Sequence, residues 1–284
     1  MTPSAAASLS IVIVSYNARV HLENCLRSLA DAPPKTPHDI VVVDNASTDG
    51  SVEAAREHAG AAARDGRRVQ VIAQPTNDGF ATANNVGIRA TAGQLILLLN
   101  NDAIAPPGAI DTLVERLLAR PEAAVAGPRL VNGDGATELS FGPMISPFGE
   151  LRQKVVMRLH ERGVAPVATW VERATRREQF VDWVSGACLL VFRDAAERAG
   201  LLDERYFLYT EDVDFCAAIR AQGRRILFTP ASEVVHLRGR SRATAAAAVN
   251  IAYRRSHLAF YDKHHPRWAP VLRAYLRLKG QLPR

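Results

Sequence analysis

The stretch Tyr206 to Cys216, YFLYTEDVDFC, sets three carboxylates, Glu211, Asp212 and Asp214, in an aromatic and aliphatic frame; Pro230 and then His236 follow. Ionised carboxylates are costly in apolar surroundings unless they meet a metal, a cation or a proton, so the cluster reads as a site for acid, base or metal chemistry. The same acids also suit a helix N-terminus, where the dipole favours them without any chemistry. A further acid, Asp102, stands directly behind the apolar run LILLL, in the sequence Asn100, Asn101, Asp102. A carboxylate there would hold a divalent ion between two phosphates, because hard cations prefer oxygen ligands and phosphate oxygens complete the shell.

The elements that must position these groups are legible in the first half. Leu9 to Val14, Ile40 to Val43, Val69 to Ile72 and Leu95 to Leu99 are continuous apolar runs, as expected of strands in a parallel sheet covered on both faces. Helical patterns near Val20 to Ala30, Ser51 to Arg64 and Ala81 to Ala92 alternate with them, which predicts an α/β fold with a mostly parallel sheet. Ligands in such sheets bind beyond the carboxyl ends of the strands. Those ends are polar: Ser15, Tyr16 and Asn17, then Asp44 to Gly50, then Asn77 to Phe80, then Asn100 to Asp102. One such residue is turn or cap chemistry, but four successive strand ends point to a site.

Further along, the pattern predicts a helix over Pro107 to Ala119 and a strand over Ala124 to Leu130. A passage rich in Gly and Pro follows from Asn132 to Pro147. Glu150 to Arg162 reads as an amphipathic basic helix, with Leu151, Val155 and Leu159 on one face and Arg152, Lys154 and Arg158 elsewhere. Strands are expected over Gln179 to Val184, Ala187 to Phe192, Ile226 to Phe228 and Glu233 to Val235. A helix is expected over Asp212 to Ala221, ended by Gly223. Two residues past Asp212, Asp214 faces another side of that helix and is expected to be structural.

At 284 residues and 48% hydrophobic content the chain can bury a full core. No run approaches a membrane span and the N-terminus lacks a secretory pattern, so a cytoplasmic protein is expected. Cys25, Cys188 and Cys216 have no CxxC spacing and are expected to be buried thiols. The net charge of +6 is uneven: eleven Lys or Arg and one acid lie from Arg238 to Arg284, giving +10 there and −4 before it. Such a tail suits an anionic membrane face, a phosphorylated substrate, nucleic acid or plain solvent. Nucleic acid is disfavoured, because aromatic stacking platforms are scarce at 6% aromatic content. Predicted helices over Asn250 to Tyr261 and Trp268 to Lys279 fill the tail. Trp268, Leu272, Tyr275 and Leu276 would form the apolar face of the second, suited to an anionic membrane, to packing on the domain or to a dimer.

A Walker-type phosphate loop, a GxGxxG after the first strand and a GxSxG elbow are all absent. The ordered segments SYN, VVVDNASTDGS, NDGFATANNVGI, LLLNNDA, SGACLLVFRD, LDERYFLYTEDVDFCAAIRAQG and PASEVVH resemble family 2 inverting glycosyltransferases of GT-A fold, especially the bacterial rhamnosyltransferase-like branch. The resemblance covers about residues 9 to 240. It implies a catalytic domain over 1–243, with a nucleotide-sugar half to about 103 and an acceptor half after it, and basic C-terminal helices over 244–284.

By the same resemblance, Ser15, Tyr16, Asn17, Asp44, Asn77, Asn84, Asn100 and Asn101 would line a nucleotide-diphospho-sugar donor. Asp102 and His236 would hold Mg²⁺ or Mn²⁺, although Asn100 replaces the first acid of the family's usual DxD. Trp183 and Gly186 would meet the acceptor, a lipid-linked or growing glycan. Asp212 would be the general base and Glu211 its support. The expected activity is transfer of L-rhamnose from dTDP-rhamnose. Its rivals are a UDP- or GDP-hexosyltransferase, a sugar-phosphate nucleotidyltransferase and an inactive sugar-nucleotide-binding protein. Arg238, Arg240 and Arg242 would reach the diphosphate from a loop freed by Gly239, or remain a basic surface.

Overall fold

The computed structural model describes residues 8–147, 149, 155, 156, 158, 159, 162–237 and 246–283. Arg238, Gly239, Arg240 and Arg242 and most of the predicted helix from Glu150 lie outside them.

In chain order, the first half runs β1 (Leu9–Ser15), α1 (Arg19–Asp31), β2 (His38–Asp44), α2 (Ser51–Arg64), β3 (Val69–Ala73), α3 (Phe80–Arg89), β4 (Leu95–Asn100) and β5 (Ala103–Ile104). After α4 (Ala109–Leu118) come β6 (Ala123–Val131), β7 (Thr137–Glu138), β8 (Phe141–Gly142), α5 (Ala165–Ala174), β9 (Gln179–Val181) and β10 (Trp183–Val184). Then follow β11 (Cys188–Phe192), α6 (Arg193–Arg198), α7 (Glu211–Ala221), β12 (Arg225–His236), α8 (Ala246–His264) and α9 (Ala269–Leu278).

The main sheet has the order β3-β2-β1-β4-β11-β6-β12-β5, with β7 added beside β6 and β9 beside β12. Strands β1 to β4 are mutually parallel, β6 and β12 are parallel, and β11 lies antiparallel between β4 and β6. Because β11 is antiparallel to both, β4, β6 and β12 point the same way and deliver Asn100, Val131 and His236 to one edge.

The continuous apolar runs serve two cores. Leu9, Ile11, Ile13, Leu95, Leu97 and Leu99 face α1 and α4, whereas Val12, Val14, Ile96 and Leu98 face α3, α6 and α7. Alternation at period two therefore puts apolar side chains on both faces. The three cysteines are buried and unpaired, and burial pushes the thiols of Cys188 and Cys216 up to about 12.

Three predicted strands differ from what forms. Gln179 to Val184 divides at Asp182, whose carboxylate accepts the Met144 N–H (2.7 Å) and pairs with Arg220 (2.8 Å). β9 thus joins β12, while β10 turns away to pair with β8. Conversely, Ile226 to Phe228 and Glu233 to Val235 belong to one strand, β12. Its register against β6 shifts between Thr229 and Glu233, around Pro230, which has no N–H to give to a ladder.

The C-terminal helices pack on the body. Phe260, Tyr261 and Ala269 are buried against Tyr206 and Val213, with Met144, Ile145 and Trp183 alongside. The buried carboxylate of Asp214 accepts Lys263 Nζ (2.8 Å), His264 Nε2 (2.6 Å) and the Tyr206 hydroxyl (3.2 Å). Asp214 is thus structural, an anchor for α8. The apolar face expected on α9 splits: Leu276 is buried and Leu272 packs inward, while Trp268 and Tyr275 turn outward with Val271 and Leu278. Among the described residues no helix is long and apolar enough to cross a membrane.

Candidate active site

Ser15 and Asp44 end β1 and β2 in register with each other, and both are buried. Asp44 Oδ1 accepts the Ser47 N–H at 2.8 Å, while its Oδ2 and the Ser15 hydroxyl have no hydrogen-bond partner among the described residues. A buried polar atom without a partner is costly, which marks this edge as one built for a bound polar group. Asn17, at φ 47°, locks the neighbouring loop: its Oδ1 accepts the Thr48 N–H (2.8 Å) and its own N–H donates to Ser47 Oγ (2.8 Å). Tyr16 beside it is exposed.

Asn77 Oδ1 accepts both the Gly79 N–H (3.1 Å) and Asn45 Nδ2 (3.0 Å). Asn45, one of the polar residues at the second strand end but given no role of its own in the sequence, is buried and also donates to the Gly79 carbonyl (3.1 Å), tying the second and third strand-end loops together. Gly79 sits at φ 92°, and a Cβ there would stand 2.5 Å from the Phe207 carbonyl oxygen, which accepts the Phe80 N–H. Only glycine lets the third strand-end loop and the acidic segment touch. Asn84 is buried in α3 and donates to its own helix at the Phe80 carbonyl (2.9 Å).

At the end of β4 the Asn100 N–H donates to the Ala187 carbonyl at 2.9 Å, and Asn100 Oδ1 is buried without a partner among the described residues. Asn101 is half-buried in the turn that follows. Asp102 comes next, and the pairing of Ala103 with His236 across β5 and β12 brings its Oδ1 to 3.3 Å from His236 Nε2. The other ring nitrogen, Nδ1, lies 3.2 Å from Glu138 Oε2. Burial opposes the charged imidazolium, but the Asp102 and Glu138 carboxylates outweigh it and raise His236 to about 9. Glu138 is a group that the sequence does not single out. It stands in a two-residue strand within a Gly and Pro rich passage, without local signal.

The acidic segment enters α7 through Tyr209 and Thr210, both at φ 69°, a conformation that L residues other than glycine rarely adopt. Consecutive strained residues just before a helix point to a functional constraint. Asp212 Oδ2 accepts the Gly186 N–H (2.9 Å) and its Oδ1 accepts the Val213 N–H (2.8 Å). Burial raises the carboxyl above its ordinary value, against the lowering effect of these donors. Glu211 is buried, with one oxygen unpartnered among the described residues; burial and the nearby Asp212 charge push it well above the carboxylate range.

Gly186 and Ala187 are consecutive. One holds Asp212 by its N–H and the other holds Asn100 by its carbonyl, so a single turn fixes the acidic helix relative to the Asn100–Asp102 corner. Trp183 packs between the second core and the C-terminal cluster, and its indole N–H donates to the Pro143 carbonyl (2.9 Å). A surface cavity of about 660 Å³ lined by Arg116, Arg129, Arg176 and Glu178 includes none of these groups.

Residues 10–181 match the family description "Glycosyl transferase family 2". Over 291 aligned positions, 96% of this chain and 92% of the relative, the sequence is 32% identical to N-acetylglucosaminyl-diphospho-decaprenol L-rhamnosyltransferase of Mycobacterium tuberculosis. The chain belongs to glycosyl transferase family 2. Two solved structures share the GT-A fold of this family 2 glycosyltransferase. A mannosyltransferase from Pyrobaculum calidifontis, in complex with GDP-Man and Mn²⁺, has TM-score 0.63 and 19% identity, over 96% of this chain and 70% of that one. GalNAc-T7 with UDP, GalNAc and Mn²⁺ has TM-score 0.64 and 18% identity, over 90% and 48%.

The donor set suits a hard divalent ion. Asp102 Oδ1 and His236 Nε2 converge, Asn100 Oδ1 lies buried nearby without a partner, and Glu138 sits on the far side of the imidazole ring. Among the described residues no three His, Cys, Asp or Glu groups form a closed metal cage. Few protein ligands with substrate phosphates completing the shell is the usual arrangement for Mg²⁺.

Proposed function

We propose that this family 2 glycosyltransferase transfers L-rhamnose from dTDP-rhamnose, with inversion, onto a lipid-linked or growing surface glycan. The observation that carries the reading is the placement of Asp212, whose carboxyl is raised by burial and aimed by the Gly186 N–H. Asp212 takes the proton of the acceptor hydroxyl as that oxygen bonds to the anomeric carbon. The bond from that carbon to the diphosphate oxygen breaks, and its electron pair leaves with the diphosphate. Asp102 and His236 would hold Mg²⁺ or Mn²⁺, which supplies positive charge to the leaving diphosphate. Ser15, Tyr16, Asn17, Asp44, Asn77, Asn84, Asn100 and Asn101 bind or frame the donor. Trp183 borders the acceptor, Gly186 serves it by positioning the base, and Glu211 supports the orientation of Asp212.

The choice of rhamnose and of a lipid-linked acceptor is supported by the likeness to the mycobacterial enzyme across nearly both full lengths. An anionic membrane surface as partner is supported by α9, where exposed Trp268, Val271, Tyr275 and Leu278 form one stripe flanked by exposed Arg267 and Lys279. The test is incubation of the chain and Mn²⁺ with dTDP-rhamnose, UDP-hexoses or GDP-hexoses and a polyprenyl-diphosphate-linked N-acetylglucosamine, with product masses read out. Addition of one deoxyhexose from dTDP-rhamnose is expected. Transfer from a UDP- or GDP-sugar alone would replace the donor assignment, and no transfer from any would overturn the reading.

A further inference from the structure

We infer that Glu138 positions His236 for metal binding: its carboxylate takes the Nδ1 side of the ring, leaving Nε2 aimed at Asp102. The inference rests on the metal site proposed above.

Neither strand order nor chain proximity makes this contact obvious. Glu138 lies on β7, which pairs with β6 through Leu130, and β6 in turn pairs with β12, so Glu138 and His236 meet across an intervening strand. Glu138 is 8% exposed and His236 15%. A carboxylate in such surroundings needs a specific partner, and the imidazole supplies one. Strand β7 is itself pinned: the Arg129 guanidinium and Thr137 Oγ1 both bond to Glu172, and Arg129 also bonds to Thr137. The support of the ring is therefore rigid.

An imidazole whose Nδ1–H is held by a carboxylate is fixed in plane, so the Nε2 proton that faces Asp102 is the one a bound ion would replace. Here that nitrogen faces Asp102 Oδ1 at 3.3 Å, and the two would close on one ion. Glu138, on the opposite ring edge, acts through His236 and is a positioning residue.

The experiment is titration of Mn²⁺ into the full chain with dTDP present, following the electron paramagnetic resonance signal of free Mn²⁺. Glu138→Ala is expected to weaken Mn²⁺ binding about 10- to 100-fold, the range for losing such an outer partner. Glu138→Gln, which keeps an acceptor for Nδ1–H, is expected to stay within about threefold of wild type. The double variant Glu138→Ala with His236→Ala is expected to bind no more weakly than His236→Ala alone, because both changes remove one unit. If the alanine form does not fold, Glu138→Met, similar in size, carries the same expectation. Wild-type affinity in Glu138→Ala, or additive losses in the double variant, would overturn the inference. A loss in Glu138→Gln as large as in Glu138→Ala would do the same, by making Glu138 a direct ligand. Absence of Mn²⁺ binding by the wild-type chain with dTDP would instead remove the metal site beneath it.

Discussion

The N–H of Gly186 donates to Asp212 Oδ2 at 2.9 Å, and an added Cβ on Gly186 would stand 3.3 Å from Asp212 Cβ. The turn therefore holds the carboxyl by backbone alone and leaves little room for a side chain. Gly186→Ala keeps the donor but crowds Asp212. It is expected to lower kcat about tenfold, a barrier change near 1.4 kcal/mol, with little change in donor KM. Steady-state kinetics check this, and unchanged kcat would show that the spacing is unimportant.

The raised carboxyl of Asp212 predicts an acid limb in the kcat profile. As a base it must be ionised, so the rate falls as pH drops through its raised value, above the ordinary Asp value of about 3.9. The same shift has a stability consequence of opposite sign. A carboxyl raised on folding contributes stability that is fully present below the unfolded value and lost as pH rises through the folded one. Asp212→Asn removes the buried charge but offers one acceptor oxygen to the two N–H groups, so the linkage shows in the pH trend: its melting temperature relative to wild type is expected to fall as pH drops from neutral through the raised value. Scanning fluorimetry across pH reads it, and a difference that does not change with pH would contradict it.

Asp214 is 2% exposed and holds Lys263 and His264 of α8. Removing one partner of a buried ion pair costs about 3–5 kcal/mol. Asp214→Ala is expected to melt about 5–15 °C lower, with a smaller loss for Lys263→Ala, whose side chain is 31% exposed and more screened. An unchanged melting temperature for Asp214→Ala would mean that the C-terminal helices are not anchored there.

Asp102→Ala and His236→Ala are each expected to remove the tightening of dTDP by Mn²⁺, about tenfold or more in the wild type, while metal-free dTDP affinity stays as it was. Isothermal titration with and without Mn²⁺ measures both. Retained tightening in both variants would place the ion elsewhere.

Much of the fold and site is readable from the chain. The runs at Leu9 and Leu95 announce strands covered on both sides, and the rule that ligands bind beyond such strands points directly to Asp44 and Asp102. The structural role of Asp214 follows from the helical angle between it and Asp212, but its partners do not, since Lys263 and His264 lie about fifty residues away. Glu138 is hidden for the same reason, 98 residues before His236 in a strand of two residues. The face of α9 is ambiguous in the sequence because apolar residues occur on two of its sides. Packing turns Leu272 and Leu276 inward and leaves Trp268 and Tyr275 outside.

The proposed role of Asp212 is removal of the acceptor proton. The most direct measurement is single-turnover sugar transfer by Asp212→Asn, with donor affinity determined on the same preparation. Transfer is expected to slow about 10²- to 10⁴-fold, the usual contribution of a general base, with donor affinity within about twofold of wild type. Transfer at the wild-type rate by a variant that still binds donor would contradict it.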